Sequence, residues 1–125
     1  MLLTIVFGLF LIVHGLIHAL WLVPKPADPK WPFDLSRSPM LRAASPATLR
    51  PIGTVLVYLA IVEFAFAGLG VLGVPELVGV WRIVAVVGAI DSLAAIALFW
   101  NRQFVVGALL DVAIIAAAVL GWPRP

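Results

Sequence analysis

Four apolar stretches, each about as long as one bilayer crossing, constrain this chain more than any other feature of its sequence. They run over residues 2–23, 52–73, 78–100 and 104–122. A helix needs about 20 predominantly apolar residues to cross the hydrocarbon core, and each stretch meets that length. Little of the chain remains outside them. We therefore expect one all-α membrane domain over residues 1–125, folded as an antiparallel four-helix bundle.

Composition indicates the same class and excludes several others. The chain of 125 residues is 64% hydrophobic, and its mean hydropathy is +1.18. It has no cysteine, which excludes disulfides and thiolate metal sites. A glycine-rich phosphate loop and a folded basic surface are both missing from the sequence, so the expected partner is the lipid bilayer and not nucleic acid. The first span has no basic residue before it and is predicted to be a retained helix.

The basic residues predict how the chain is oriented. The long connection over residues 24–51 contains Lys25, Lys30, Arg37, Arg42 and Arg50, and Arg102 lies in the connection over residues 101–103. The positive-inside rule then places both connections in the cytoplasm and both termini outside, in what we expect to be a bacterial inner membrane. The long connection also holds seven of the ten prolines, which predicts irregular backbone throughout residues 24–51.

Five ionisable residues lie inside the predicted spans. His14 and His18 belong to the first span, and the other three spans contribute Glu63, Asp91 and Asp111. Unpaired charges within a bilayer are costly, so these side chains should face the bundle interior. With a rise of about 1.5 Å per residue, all of them fall near the midplane, His18 about one turn closer to the basic loop. We therefore predict one polar cluster.

Several kinds of chemistry fit such a cluster. The imidazoles of His14 and His18, one helical turn apart, can chelate one metal ion, and the carboxylates of Glu63, Asp91 and Asp111 would complete a shell for zinc, iron or manganese. Alternatively, His14 or His18 ligates the metal of a haem or a chlorophyll-type macrocycle. The cluster can also act as a proton or ion relay. In the least specific interpretation it only holds together a non-catalytic accessory subunit, within a homo-oligomer or a larger membrane complex. Whether the chain is an enzyme stays open.

An internal similarity relates the second and fourth spans. A shift of 48 positions aligns VEFAFAGLGVLGVP with LDVAIIAAAVLGWP and superposes Glu63 on Asp111. Such a match suggests a parallel repeat of two helix pairs.

The second span also carries a family resemblance. The stretch YLAIVEFAFAGLGVLGVP resembles the second helix of small DoxX-like membrane proteins, in which an acidic residue precedes a glycine-rich apolar run. Chain length and helix number are similar as well. The resemblance implies a bacterial membrane protein associated with redox or stress systems. Only Glu63 matches by position, and the resemblance implies no catalytic role for it.

Overall fold

The structure, a computed structural model, describes residues 1–124, and this part of the chain is helical without strands. The helices are α1 (Leu2–Ile17), α2 (Pro46–Val71), α3 (Pro75–Val78), α4 (Trp81–Leu98) and α5 (Val105–Leu120). A 3-10 turn, His18–Trp21, continues α1, and a second one, Arg102–Phe104, leads into α5. Four helical segments are long and apolar enough to cross a membrane: Leu2–Trp21, Pro46–Val71, Trp81–Leu98 and Arg102–Leu120. The predictions of an all-α chain and of four such segments are confirmed.

The long connection is shorter than predicted, because α2 begins at Pro46 and not at residue 52. Ser45 caps this helix by accepting a hydrogen bond from the Thr48 N–H, and Pro46 occupies the first helical position, where a missing donor costs nothing. Pro51 lies inside the helix. Its ring deprives the carbonyl of Ala47 of a donor, but Ala47 is exposed, so solvent can replace the lost bond.

Consecutive long helices pack against each other in antiparallel pairs, α1 on α2, α2 on α4 and α4 on α5. Small residues permit this close approach. A Cβ atom on Gly68 of α2 would lie only 2.6 Å from the carbonyl oxygen of Gly8 in α1. The 3-10 turns that adjoin α1 and α5 meet through larger side chains instead: the rings of Trp21 and Phe104 are 4.8 Å apart between centroids. The meeting of α1 and α5 therefore leaves a cleft.

The interior consists of two apolar clusters with polar side chains between them. One cluster lies towards the chain termini and contains Phe7, Leu11, Ala60, Phe64, Ala67, Val71, Trp81, Ala85, Ala89, Ile114 and Ala118. The other lies towards the long connection, at what we call the loop-side end, and contains Trp21, Leu35, Leu49, Val57, Ile96, Phe99 and Phe104. Along α1, α4 and α5, the residues between these clusters include His14, Ser92 and Asp111, which form the candidate site.

Candidate functional site

Four buried side chains form one hydrogen-bonded chain, which we call the polar network: His14, Asp111, Ser92 and His18. Nε2 of His14 lies 2.8 Å from Oδ1 of Asp111. Oδ2 of the same carboxyl lies 2.6 Å from Oγ of Ser92. Oγ of Ser92 in turn lies 2.7 Å from Nε2 of His18. The network thus connects α1, α4 and α5 through the middle of the molecule.

The position of His18 at the end of α1 fixes the protonation of its Nδ1. This atom lies 3.1 Å from the carbonyl oxygen of His14 and 3.2 Å from that of Gly15. Carbonyl oxygens only accept hydrogen bonds, so Nδ1 of His18 must carry a hydrogen atom and donate it. A neutral His18 then has a lone pair on Nε2, directed at Ser92.

A count of hydrogen atoms shows that the polar network contains one proton more than it would hold with Asp111 ionised and His18 neutral. Two contacts, from Asp111 to Ser92 and from Ser92 to His18, need two hydrogen atoms. The Ser92 hydroxyl provides only one. The second must reside on the Asp111 carboxyl or on Nε2 of His18, since otherwise two lone pairs would face each other within 2.8 Å. We assign hydrogen positions by this count.

His14 connects the network to the cleft. Its Nε2 is bonded to Asp111, and its Nδ1 has no hydrogen-bond partner within residues 1–124. When the total charge of the network is zero, Nε2 of His14 carries a hydrogen atom and donates it to Asp111. Nδ1 of His14 then holds a lone pair. The cleft has a volume of about 230 Å³ and is lined by His14, Ile17, His18, Trp21, Phe33, Ser92, Ile96, Gln103, Phe104, Val106, Gly107 and Leu110.

Glu63 and Asp91 lie apart from the polar network as a second acidic pair. Glu63 on α2 has the Asp91 carboxyl of α4 as its neighbour. The two helices are close at this level, because a Cβ atom on Gly88 of α4 would lie 3.1 Å from Cβ of Glu63. Within the described part of the chain, Oε2 of Glu63 is buried without a hydrogen-bond partner. Hydrogen bonds therefore join three of the five predicted residues, His14, His18 and Asp111, whereas Glu63 and Asp91 lie beside each other. Asp91 precedes Ser92 on α4 and is turned by about 100° from it, which directs it to α2.

The five predicted residues also do not assemble as a set of metal ligands. Among residues 1–124, no group of three or more histidine, aspartate or glutamate side chains is placed to hold a metal ion. The reason lies in the histidines. Both nitrogens of His18 are engaged, one by backbone carbonyls and one by Ser92, and Nε2 of His14 is engaged by Asp111. Their spacing of four residues places them on one side of α1 but does not make their lone pairs converge.

The structure also separates the two acids that the internal similarity pairs. Asp111 has no accessible surface and bonds to His14 and Ser92. Glu63 is partly exposed and faces another carboxyl. Equivalent positions in the two aligned spans therefore have different surroundings, because α2 packs between two helices whereas α5 packs closely only against α4.

Ser92 is the member of the site that the sequence analysis missed. Its hydroxyl connects Asp111 to His18, and the side chain is entirely buried. A signal was available, because a serine in an apolar span next to small residues such as Ala95 is typical of a packed interface between membrane helices. A hydroxyl is a weaker indication than a charge, and only its partners show that it bridges two ionisable groups.

The loop-side end carries a separate ion pair outside the apolar segments. Nζ of Lys25 lies 2.8 Å from Oδ2 of Asp34, and the backbone N–H of Ser36 donates to Oδ1 at 2.9 Å. Partial burial by itself raises the pKa of Asp34, but the hydrogen bonds from Lys25 and Ser36 outweigh it and lower this pKa to about 2. The side-chain amide of Gln103 donates to the carbonyl of Lys30 at 3.2 Å. Both connections therefore lie at the same end of the molecule.

Comparisons of the chain with protein-family models, with curated proteins and with solved structures gave no match. The resemblance to DoxX-like proteins around Glu63 stays a prediction.

Proposed function

We propose that this chain is an integral membrane protein, folded as an antiparallel four-helix bundle, that holds one exchangeable proton in its polar network and exchanges it with a molecule in the cleft. The donor count is the observation that carries this proposal. The contacts from Asp111 to Ser92 and from Ser92 to His18 need two hydrogen atoms. The Ser92 hydroxyl supplies only one of these two.

The shared proton has two positions of equal total charge. In one, Asp111 is ionised, Ser92 donates to it, and His18 is an imidazolium that donates to Ser92. In the other, Asp111 is neutral and donates to Ser92, and Ser92 donates to a neutral His18. The two forms interconvert when one proton moves along each hydrogen bond. Neither form leaves a net charge in the apolar interior, where such a charge would cost several kcal/mol.

His14 is the group through which a further proton would reach the network. In the form with neutral Asp111, Nδ1 of His14 would take up a proton from a donor molecule in the cleft while Nε2 passes one to Oδ1 of Asp111. The donor keeps the electron pair and becomes an anion, which offsets the positive charge added to the network. Oδ2 of Asp111 then passes a proton to Ser92, and Ser92 passes one to His18. The relay stops there, since Nδ1 of His18 is bonded to carbonyl groups that cannot accept a proton. The site therefore stores a proton for the cleft and provides no continuous path across the bilayer.

The surface of the helices supports membrane insertion. Large apolar side chains remain exposed on every long helix, among them Leu9, Val62, Ile83 and Leu109. A bilayer would cover them. The basic connections share one end, and by the positive-inside rule this end faces the cytoplasm of a bacterial cell, with the termini outside.

The proposal can be tested by nitrogen-15 NMR of the histidine rings, because the chain contains only two histidines. Protein labelled at histidine, in lipid nanodiscs, is compared with Ser92→Ala, Asp111→Asn and the control Tyr58→Phe, whose exposed side chain lies outside the network. We expect Nε2 of His18 to be partly protonated in the unchanged protein. In Asp111→Asn the amide can donate to Ser92, so His18 should become fully neutral with its hydrogen on Nδ1.

Ser92→Ala should remove the hydrogen-bonded connection between Asp111 and His18, so that Nε2 of His18 no longer shares a proton with the Asp111 carboxyl. The control Tyr58→Phe should leave both ring spectra unchanged. Identical pH responses of His18 in the unchanged protein and in Ser92→Ala would contradict the proposal.

A single metal ion on His14 is the second candidate function. Histidines that bind metals commonly donate their other ring N–H to a carboxylate. His14 has this arrangement with Asp111, and its side chain lines the cleft. Zinc, iron or manganese would be bound there, whereas a haem would exceed the cleft volume of about 230 Å³. Elemental analysis and an absorption spectrum of protein purified without chelators test this candidate. A stoichiometric metal that is lost in His14→Ala and kept in His18→Ala would establish it, and empty protein would exclude it.

A further inference from the structure

We infer that the cleft between α1 and α5 binds a small, uncharged, lipid-soluble molecule with an aromatic ring and a hydroxyl group, and that this hydroxyl donates a hydrogen bond to Nδ1 of His14. The inference rests on the proposed function, because it identifies the class of molecule with which the polar network would exchange its proton.

The route into the cleft determines that the ligand is lipid-soluble. At the loop-side end three aromatic rings cover the cleft: Trp21 and Phe104 lie 4.8 Å apart, and Phe33 lies 5.2 Å from Phe104 between centroids. The opening lies between the two helices, where Ile17 is 51% exposed and Val106 is 65% exposed. Both residues belong to segments that we place in the bilayer. A ligand therefore reaches the cleft from the hydrocarbon phase, which excludes ions and strongly polar molecules.

The volume and the walls of the cleft favour a single ring. A cavity of about 150 Å³ in a protein interior is large enough to take up benzene, and the cleft, at about 230 Å³, adds room for small substituents. The walls are mostly apolar, and Trp21, Phe33 and Phe104 provide aromatic surfaces for ring contacts. A long, flexible headgroup or a large macrocycle would exceed this space.

The inner end of the cleft provides the polar contact. In the neutral network Nδ1 of His14 is a lone pair without a partner in the described chain. The other histidine in the lining, His18, has both nitrogens engaged. An acceptor of this kind selects a ligand that donates, and a hydroxyl on an aromatic ring is also acidic enough to share its proton with an imidazole. An ether of the same shape lacks the donor.

Two probes that differ only in this donor test the inference. Binding of 4-fluorophenol and of 4-fluoroanisole to the protein in lipid nanodiscs is followed by fluorine NMR, with empty nanodiscs as the background for partitioning. We expect the phenol to bind about tenfold more tightly, the equivalent of about 1.4 kcal/mol for one hydrogen bond. In His14→Phe the phenol should lose this advantage.

Gly107→Leu tests the location independently of His14. A Cβ atom on Gly107 would make only an ordinary contact of 3.6 Å with Ile96, so the helix accepts a side chain there, and the leucine would fill the cleft. We expect Gly107→Leu to abolish binding of both probes. The matched control, Ala97→Leu, adds the same side chain on an exposed position of α4 and should bind as the unchanged protein does. Equal affinity for the two probes, or phenol binding that persists in Gly107→Leu, would overturn the inference.

Failure of this inference and failure of the proposed function can be told apart, because the histidine spectra are recorded without a probe. Coupled histidines in a protein that binds neither probe would overturn the ligand alone. Selective binding of the phenol together with histidine spectra that Ser92→Ala leaves unchanged would overturn the relay and uphold the ligand site.

Discussion

Nε2 of His14 lies 2.8 Å from Oδ1 of Asp111, so an imidazole on the first helix and a carboxyl on the last are joined where their backbones leave a cleft. The bond links the two helices at the ends of the packing series, since α1 packs on α2, α2 on α4 and α4 on α5. It also places Nε2 of His14 in the polar network, while the same side chain lines the cleft. One contact thus contributes both to the fold and to the proposed chemistry.

Asp111→Ala should destabilise the protein more than Asp111→Asn. Alanine leaves Nε2 of His14 without a partner and leaves the buried Ser92 hydroxyl with His18 as its one remaining partner. An unsatisfied buried polar group costs about 1–3 kcal/mol. Asparagine can accept from His14 through its oxygen and donate to Ser92 through its nitrogen. Thermal unfolding in a mild detergent checks this order. Equal losses in the two variants would show that these hydrogen bonds do not stabilise the fold.

Gly68→Ala should weaken the packing of α1 on α2. Its Cβ atom would come within 2.6 Å of the carbonyl oxygen of Gly8, and the backbones must separate to relieve this overlap, at a cost of about 1–3 kcal/mol. Gly79→Ala is the matched control, because a Cβ atom there meets nothing within 4 Å. The free energy of unfolding of both variants, measured in the same detergent, tests this expectation. A Gly68→Ala protein as stable as Gly79→Ala would contradict the proposed close approach.

Glu63→Gln should stabilise the protein at neutral pH by about 1 kcal/mol. The substitution removes one of two neighbouring carboxyls and gives the buried, unpartnered Oε2 position a group that can donate to Asp91. The change in unfolding midpoint is the measurement, with Glu63→Ala as the comparison that removes the carboxyl without supplying a donor. Destabilisation by Glu63→Gln would contradict this prediction and would mean that the Glu63 carboxylate is itself bound by a partner.

The contacts of Asp34 should depend on pH in a defined window. Because the pKa of Asp34 falls from its ordinary value of 3.8 to about 2 in the folded chain, its carboxylate stabilises the connection above pH 3.8, and this contribution is lost as pH falls towards 2. Hydrogen exchange of the Ser36 amide, which donates to Asp34, reports it. We expect more protection than in Asp34→Asn at pH 5 and no difference below pH 2.

A constant difference between the two proteins across this range would contradict the lowered pKa of Asp34. Lys30 provides an internal reference, because its amide donates to Asp28 and not to Asp34. Its protection should be the same in both proteins at each pH.

Much of the fold could be predicted from apolar length alone, whereas the boundaries depended on local chemistry. Each of the four apolar segments was recognisable in the sequence, because the length needed to cross a bilayer is a property of the segment itself. The prolines at positions 46 and 51 predict irregular backbone up to residue 51, whereas α2 begins at Pro46 and contains Pro51. Pro46 instead begins the helix behind the Ser45 cap, and Pro51 is tolerated close to its exposed end.

The candidate site was only partly predictable. Spacing and depth placed His14, His18 and Asp111 at a common level, and the structure joins these three through Ser92. The same reasoning included Glu63 and Asp91, which face each other at a different helix pair. Depth along a helix follows from counting residues, but the direction of a side chain depends on which neighbour its helix packs against.

The sequence by itself therefore determined that this chain has four helical segments suited to a bilayer, with ionisable groups near their middle, because apolar length and position along a helix are local properties. Only the tertiary structure decided which groups meet. The rotation of each helix, set by small residues such as Gly68 and Gly88, directs Asp111 to His14 and Asp91 to Glu63, and it leaves the cleft where α1 and α5 do not pack closely.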